Sequence, residues 1–520
     1  MPPMRDSPAL PYYILAILAG LVAVAAWAFG MYVLAIGACA AVAFVLWQAS
    51  TYSDTPHPSG ETVLQLGPLK WNLEELCTHW LIAMRSGHGK TNGLLRTMLA
   101  QVFRTIPNLG MLAIDQKGNF NEILIKLCKA AGIQKRLLVL RVRRPGRDVS
   151  LLIEHTTNLI GDRSIPWETY AQIVIDVAVT CGQETTNPFF KNQGHKMLAT
   201  TFATLEAIGI TPTLADAYDF ISGPGVYDQA IQALQVEAGN DPKAKDLLAY
   251  WEAFQGKARE ELSGIKSTAE LYLYPYSVKE LREVFSSETP NVTIADLDKG
   301  MIICPSVPQA FLSQRSYITN WYKVVTYYHL LLRYDTMAER PRGTLNPIIL
   351  IADEGQNSLL CGEGGLADYN ALDKIREALG CVILTMQSPT SALPALKGKT
   401  DLADTIYTNL NNKVIGKIAD EPGREMAAKV FGRQYVDDVS FSYQHARLPS
   451  SNVRQDYRYK YPPEYFGRLK RFHCLISHVE GGVAPVYLPP LDDAGKKYSM
   501  KERVIRDPRF SWLFGKMALR

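Results

Sequence analysis

Hydrophobic positions dominate the start of the chain: from Leu10 to Trp47 there are 38 residues without an Asp, Glu, Lys or Arg. One helix of that length would extend about 57 Å, nearly twice the ~30 Å hydrocarbon core of a bilayer. Two helices of about 11–28 and 31–49, turned at Phe29-Gly30, fit better. Tyr12, Tyr13, Trp27, Tyr32 and Trp47 then fall near the ends of the spans, where rings with a polar tip settle. The pattern predicts a transmembrane hairpin over residues 1–50 with both ends inside, an orientation that Arg5 supports. A cleaved signal peptide is the other reading, because Arg5 precedes an apolar run and Ala23-Val24-Ala25 offers a cleavage site. The second apolar run would then still act as an anchor.

Past a short linker at 51–62, containing Pro56, Pro58 and Gly60, the pattern changes to short apolar runs separated by helical stretches. Trp80–Met84, Gly110–Ile114 and Leu137–Val142 read as buried strands, with helices starting near Lys90 and Asn119. Such alternation predicts a parallel sheet with crossover helices. Between 156 and 290 only helical periodicity appears: Leu198, Phe202, Leu205 and Ile208 form one stripe, and Thr213-Leu-Ala-Asp216 reads as a capping box. Strand-like runs resume at Met301–Cys304, Ile348–Ala352, Val382–Thr385 and Val414–Ile418, around a long helical pattern at Tyr317–Leu332. Residues 434–465 read as irregular, followed by late strands at Phe472–Ser477 and Ala484–Leu488. The expected class is α/β, an interrupted sheet domain (51–155 and 291–520) around an all-α insertion (156–290).

Composition narrows the function classes. With 47% hydrophobic and 20% charged residues the 520-residue chain is no disordered polymer. A net charge of +4 gives no global attraction to nucleic acid, so any such contact must come from local patches. Eight scattered cysteines without a C-x-x-C pair exclude a zinc ribbon or disulfide scaffold.

The chemistry-bearing residues sit at strand ends. Met84-Arg-Ser-Gly87-His88-Gly89-Lys90-Thr91 follows a strand and opens a helix. In a P-loop the backbone N–H groups of such a turn cradle phosphates, the lysine reaches the β/γ-phosphates and the hydroxyl holds Mg²⁺. Gly87, His88, Gly89, Lys90 and Thr91 are the candidate nucleotide residues; Met84 stands where the first glycine of the pattern belongs. Ile348–Ala352 runs into Asp353-Glu354, a carboxylate to hold Mg²⁺ followed by one to orient or deprotonate water. Val382–Met386 ends in Gln387, an amide placed to touch a γ-phosphate. His473, Cys474 and His478 are discounted as a metal set, because neighbours on a strand face opposite ways. Lys135, Arg136, Arg141, Arg143, Arg144 and Arg147 make either a solvated face or a track for phosphates.

Together these parts resemble the type IV secretion coupling proteins of the TraG/TraD kind. The similarity includes Asp115-Gln-Lys117-Gly118 and Thr408-Asn-Leu-Asn-Asn-Lys413 and runs over nearly the whole chain. The resemblance implies a RecA-like P-loop NTPase domain with an all-α domain, assembling as a homo-hexamer on the bacterial inner membrane with the bulk of the chain cytoplasmic. It further implies an ATPase using ATP and Mg²⁺ that recruits relaxase–DNA complexes, takes DNA without regard to sequence, and works with the secretion channel components. Lys90, Glu354 and Gln387 would be catalytic, Thr91 and Asp353 would hold the metal, and Arg376, shortly before Gly380, would reach a neighbour's nucleotide. A receptor for protein effectors with weak ATPase, or a related translocase or packaging ATPase, stays open as the alternative.

Overall fold

The computed structural model describes residues 60–148, 150–183, 187–223, 225–361, 365–442 and 450–491. The hairpin expected over 1–50 lies outside them, and among the described residues no helix is long and apolar enough to cross a membrane.

Strands β1 (Leu64–Leu66) and β2 (Leu69–Trp71) form a small antiparallel ribbon that the sequence pattern did not announce. β3 (Trp80–Ala83), β4 (Gly110–Asp115) and β5 (Leu137–Arg141) alternate with helices Arg96–Thr105 and Phe120–Ala130. A run of helices then follows, from Trp167–Thr180 to Lys279–Phe285, before β6 (Ile302–Ser306). Thr213 caps its helix as expected, its side chain accepting from the Asp216 N–H while Asp216 answers the Thr213 N–H. The chain enters and leaves this helical block at one place, where Asn158 pairs with Ser286 and the Trp321 indole donates to the Leu159 carbonyl at 3.1 Å.

β7 (Ile348–Asp353), β8 (Gly380–Met386) and β9 (Asn412–Ile415) complete the parallel part. Beyond the ribbon β10 (Arg433–Ser442) and β11 (Ser450–Tyr459), the strands β12 (His473–Ser477) and β13 (Val483–Tyr487) return to the main sheet. Its order is β13-β12-β9-β3-β8-β7-β4-β6-β5, with β12 and β13 antiparallel at one edge and the other seven parallel.

Strand alternation divides the core between two faces. Ile82, Met111, Ala113, Ile349 and Ile351 pack with Leu94, Leu95, Met98 and Leu99 on one face. Leu81, Leu112, Leu350 and Val382 pack on the other with Ile318 and Trp321 of the long helix Leu312–Leu332, and this second core runs on into the helical block. Both faces are covered, as a parallel sheet requires.

Residues 434–465 correct the expectation of irregular structure. β10 and β11 pair from Arg433↔Tyr459 to Ser442↔Ser450, and helix Pro463–Arg468 follows. Tyr435 and Tyr457 lie 4.9 Å apart across the ribbon, and the Arg433 guanidinium sits 4.4 Å from the Tyr459 ring. A two-stranded ribbon outside the main sheet is under no demand to alternate apolar and polar positions, so its sequence carries no strong period-two signal.

Candidate active site

Four parallel strands deliver the site from their C-terminal ends. β3 leads into the P-loop, β4 ends at Asp115, β7 ends at Asp353 and β8 ends just before Gln387. Register puts Asp115 directly beside Asp353 and Ala83 beside Met386.

The P-loop continues the sheet before it turns. Met84 N–H donates to the Met386 carbonyl at 3.0 Å and Arg85 N–H to the Lys417 carbonyl at 2.8 Å. The turn itself is made by Gly87 (φ +78°) and Gly89 (φ +105°), both in the left-handed region where a side chain would be strained. Gly93 and Leu94 N–H groups close on the Gly89 carbonyl at 2.8 and 3.1 Å, so the helix begins at Lys90 with a wide first turn. Against the outer side of this turn rests Phe472: a Cβ on Gly89 would stand 2.3 Å from its ring, and its N–H donates to the His88 carbonyl at 2.9 Å. The His88 imidazole is turned to the Ser86 carbonyl, 3.3 Å from Nδ1.

Lys90 is 5% exposed, and its Nζ lies 3.0 Å from Glu354 Oε1 and 3.5 Å from Asp353 Oδ1. Thr385 fixes both acidic residues: its hydroxyl donates to Asp353 Oδ1 at 2.9 Å and accepts from the Glu354 N–H at 3.3 Å. Glu354 is buried with φ +54°, a left-handed backbone that turns its side chain back over the strand ends. Four donors meet its carboxylate. Lys90 and Lys117 reach Oε1, while Gln356 (2.8 Å) and Gln387 (3.2 Å) reach Oε2. Burial opposes ionisation of Glu354, but the Lys117 hydrogen bond and the Lys90 charge outweigh it and hold the carboxyl down to about 2. The segment after Glu354 is anchored by the buried Lys323, whose ammonium donates to the Ser358 carbonyl and to Asp368, each at 2.7 Å.

The structure therefore gathers Lys90, Asp353, Glu354 and Gln387, with Thr91 one residue into the helix. It does not bring in Arg376. That residue is exposed at the end of helix Asp368–Ile375, at the start of β8, and the site lies at the far end of β8, about 20 Å of strand away. Within one chain Arg376 is no part of the site.

Lys117, Thr385, Gln356 and Phe472 were missed as site residues. Lys117 had a signal, since Asp115-Gln-Lys117-Gly118 closes a strand next to β7. The Asp115 carboxylate folds that turn by accepting from the N–H groups of Lys117, Gly118 and Phe120 at 3.1, 2.7 and 2.8 Å. Phe472 had none, lying far along the chain from the loop it supports. Among the described residues no group of three His, Cys, Asp or Glu could hold a metal on its own, and His473 and Cys474 face apart as expected.

No protein-family model and no curated protein sequence matches the chain. Solved structures do. The bacterial conjugative coupling protein TrwBΔN70, in its unbound monoclinic form, aligns at 15% identity over 83% of this chain and 89% of that one, with a TM-score of 0.60. The plasmid coupling protein TrwB in complex with ADP and Mg²⁺ aligns at 14% identity over 84% and 90%, TM-score 0.58. VirB4 of Thermoanaerobacter pseudethanolicus aligns at 11% identity over 85% and 99%, TM-score 0.50. The chain has the fold of the coupling protein TrwB and of VirB4.

Proposed function

We propose that the protein is a Mg²⁺-dependent ATPase that drives DNA into a type IV secretion channel. The observation that carries the reading is the convergence of Lys90 with Asp353, Glu354 and Gln387 at adjacent strand ends, beside a glycine turn that opens a helix. Phosphoryl transfer to water needs that set: a cation on the phosphates, a metal-holding carboxylate and a group that orients the water. TrwB, with the same fold, has been seen with ADPNP, with GDPNP and with ADP and Mg²⁺.

The donor set suits Mg²⁺. Asp353 and the Thr91 hydroxyl are hard oxygen ligands, and one carboxylate with nucleotide phosphates is how Mg²⁺ is commonly held. When bound, the metal neutralises charge on the phosphate oxygens. Lys90 then binds the phosphates, Thr385 keeps Asp353 in place, and Glu354 holds the water and takes its proton. Gln387, bonded to Glu354, would sense the loss of the γ-phosphate.

The same reading places residues 1–50 in the bacterial inner membrane as a hairpin, with the rest cytoplasmic. Subunits form a homo-hexamer in which Arg376 serves a neighbour's nucleotide, and relaxase-bound DNA and secretion channel components are the partners. The full chain in detergent micelles tests it. Phosphate release from ATP should require Mg²⁺ and rise with DNA of any sequence at low salt. No turnover under any condition would remove the ATPase; turnover raised by a secreted protein and not by DNA would favour the effector receptor.

A further inference from the structure

We propose that the cavity at the ends of β4, β5 and β6 binds the phosphates of a nucleic-acid strand, and that an anion there draws Lys117 off Glu354 to start hydrolysis. This rests on the ATPase reading and adds to it the place where DNA and the active site are coupled.

The cavity encloses about 580 Å³ and is lined by Lys117, Arg141, Arg144 and Arg147. Glu122 and Asp148 also line it, and Arg144 is paired with Asp148. Arg141 and Arg147 are exposed and have no ion pair among the described residues. Two others of the basic run are committed elsewhere. Arg136 donates to the carbonyls of Pro107, Leu109 and Gly300, and Arg143 to the Leu151 carbonyl and Glu283. No aromatic side chain lines the cavity among the described residues, so bases have no platform to stack on and the contact is to phosphates.

Lys117 belongs to both sites. Its ammonium bonds Glu354 Oε1, yet its side chain is 42% exposed and lines the cavity. Its carbonyl is held by Gln309 at 2.7 Å, so the backbone stays while the side chain can swing.

Glu354 explains why it must. A carboxylate offers about four lone-pair positions, and here four donors occupy them. Nucleotide phosphates recruit Lys90 and so free a position for water, but the Lys117 ammonium remains on the same oxygen, favours the charged carboxylate and weakens Glu354 as a base. A phosphate in the cavity competes for that ammonium. With Lys117 withdrawn, Glu354 accepts the water's proton as the water oxygen bonds the γ-phosphorus. The bond from that phosphorus to the β-phosphate oxygen breaks, giving ADP and inorganic phosphate.

The test has two arms on the full chain. Binding of a fluorescein-labelled single-stranded oligothymidylate, without nucleotide, is compared between wild type and Arg141→Ala/Arg147→Ala. The variant should bind roughly tenfold more weakly at low salt, with a log–log salt slope shallower by about 1.4 for two lost phosphate contacts. Equal binding, or equal competition by polyglutamate, would overturn the nucleic-acid cavity. The second arm measures phosphate release with and without the oligonucleotide. Lys117→Met should raise the basal rate several-fold and abolish stimulation, and Lys117→Arg should restore the dependence. Lys117→Gln serves if the methionine variant does not fold. A lysine variant that keeps wild-type stimulation would overturn the switch. Wild type inactive in every condition would remove the ATPase reading and the switch together, while the binding arm would still decide the cavity.

Discussion

Met84 packs its side chain directly over Gly416: a Cβ at Gly416 would stand 2.6 Å from both Cγ and Cε of the methionine. The two residues extend neighbouring strands, and the Gly416 N–H donates to the Ala83 carbonyl at 2.9 Å. Met84 has no positive φ. The absent first glycine of the P-loop pattern therefore costs nothing in backbone strain. The turn is made later, at Gly87 and Gly89, and the methionine closes the space beside β9 instead.

Gly416→Ala should accordingly destabilise the protein by about 1–3 kcal/mol through overpacking. Met84→Ala placed in the same chain should cost less than it does alone, because the three atoms nearest that Cβ all belong to Met84. Urea unfolding of the two single variants and the double variant measures the coupling. Strictly additive losses would show that Gly416 meets some other obstacle.

Lys90→Ala and Glu354→Gln should fail in different ways. Removing Lys90 takes the cation from the phosphates, so nucleotide affinity and turnover both fall, turnover by roughly a hundredfold or more. Glu354→Gln leaves Asp353 and Thr385 in place but cannot take a proton, so nucleotide should still bind while hydrolysis drops by about 10²–10⁴. Fluorescent-nucleotide binding beside phosphate release separates the two. Wild-type turnover in the glutamine variant would move the base elsewhere.

What the sequence made legible, and what it hid, follows from how each feature is encoded. Buried parallel strands such as Ile348–Asp353 are continuous apolar runs, and the Thr213 capping box is local, so both could be read directly. Lys90, Asp353, Glu354 and Gln387 follow such runs, which is why they were found. Lys117 fell outside the reading because its partner, Glu354, is 237 residues away, a pairing set only by β4 lying beside β7. Phe472 supports the P-loop from the entry of β12, two strands across from β3 and far along the chain, and no local pattern records that. Arg376 was named for a neighbour's nucleotide, and its place at the entry of β8, away from its own chain's site, leaves any such role to contacts between subunits, which no pattern within one chain records.

Phe472 invites its own experiment. Its ring covers Gly89 and Gly93, and a Cβ on either would come within 3.0 Å of it. Phe472→Ala should loosen the turn that presents Lys90, raising KM for ATP several-fold with a smaller change in kcat, while Phe472→Leu should recover part of the loss. Gly89→Ala should lose nucleotide binding, since it meets both the ring and an unfavourable φ of +105°. An unchanged KM in Phe472→Ala would show that the turn holds its shape unaided.

Acid should weaken the fold through Asp298. Its carboxylate receives Arg333 and Arg340 (3.2 Å), with His329 Nε2 3.3 Å away, and the buried Arg333 also donates to the carbonyls of Asn346 (2.9 Å) and Ala378 (2.8 Å). These bonds tie the end of the long helix to the entries of β7 and β8. Burial pushes Asp298 up, but the neighbouring His329 and the Arg333 guanidinium outweigh it and hold the carboxyl well below the usual range. A depressed folded pKa means that the unfolded chain takes up the proton first as pH falls. The stabilisation is therefore complete above the ordinary carboxylate value of about 4 and is lost progressively below it. Asp298→Asn should cost about 2–4 kcal/mol at neutral pH, less than a fully buried pair because Arg333 keeps its carbonyl partners. It should also flatten the fall in stability between about pH 5 and pH 3 relative to wild type. Denaturant unfolding at several pH values checks both; parallel curves for the two proteins would assign the acid sensitivity to other carboxylates.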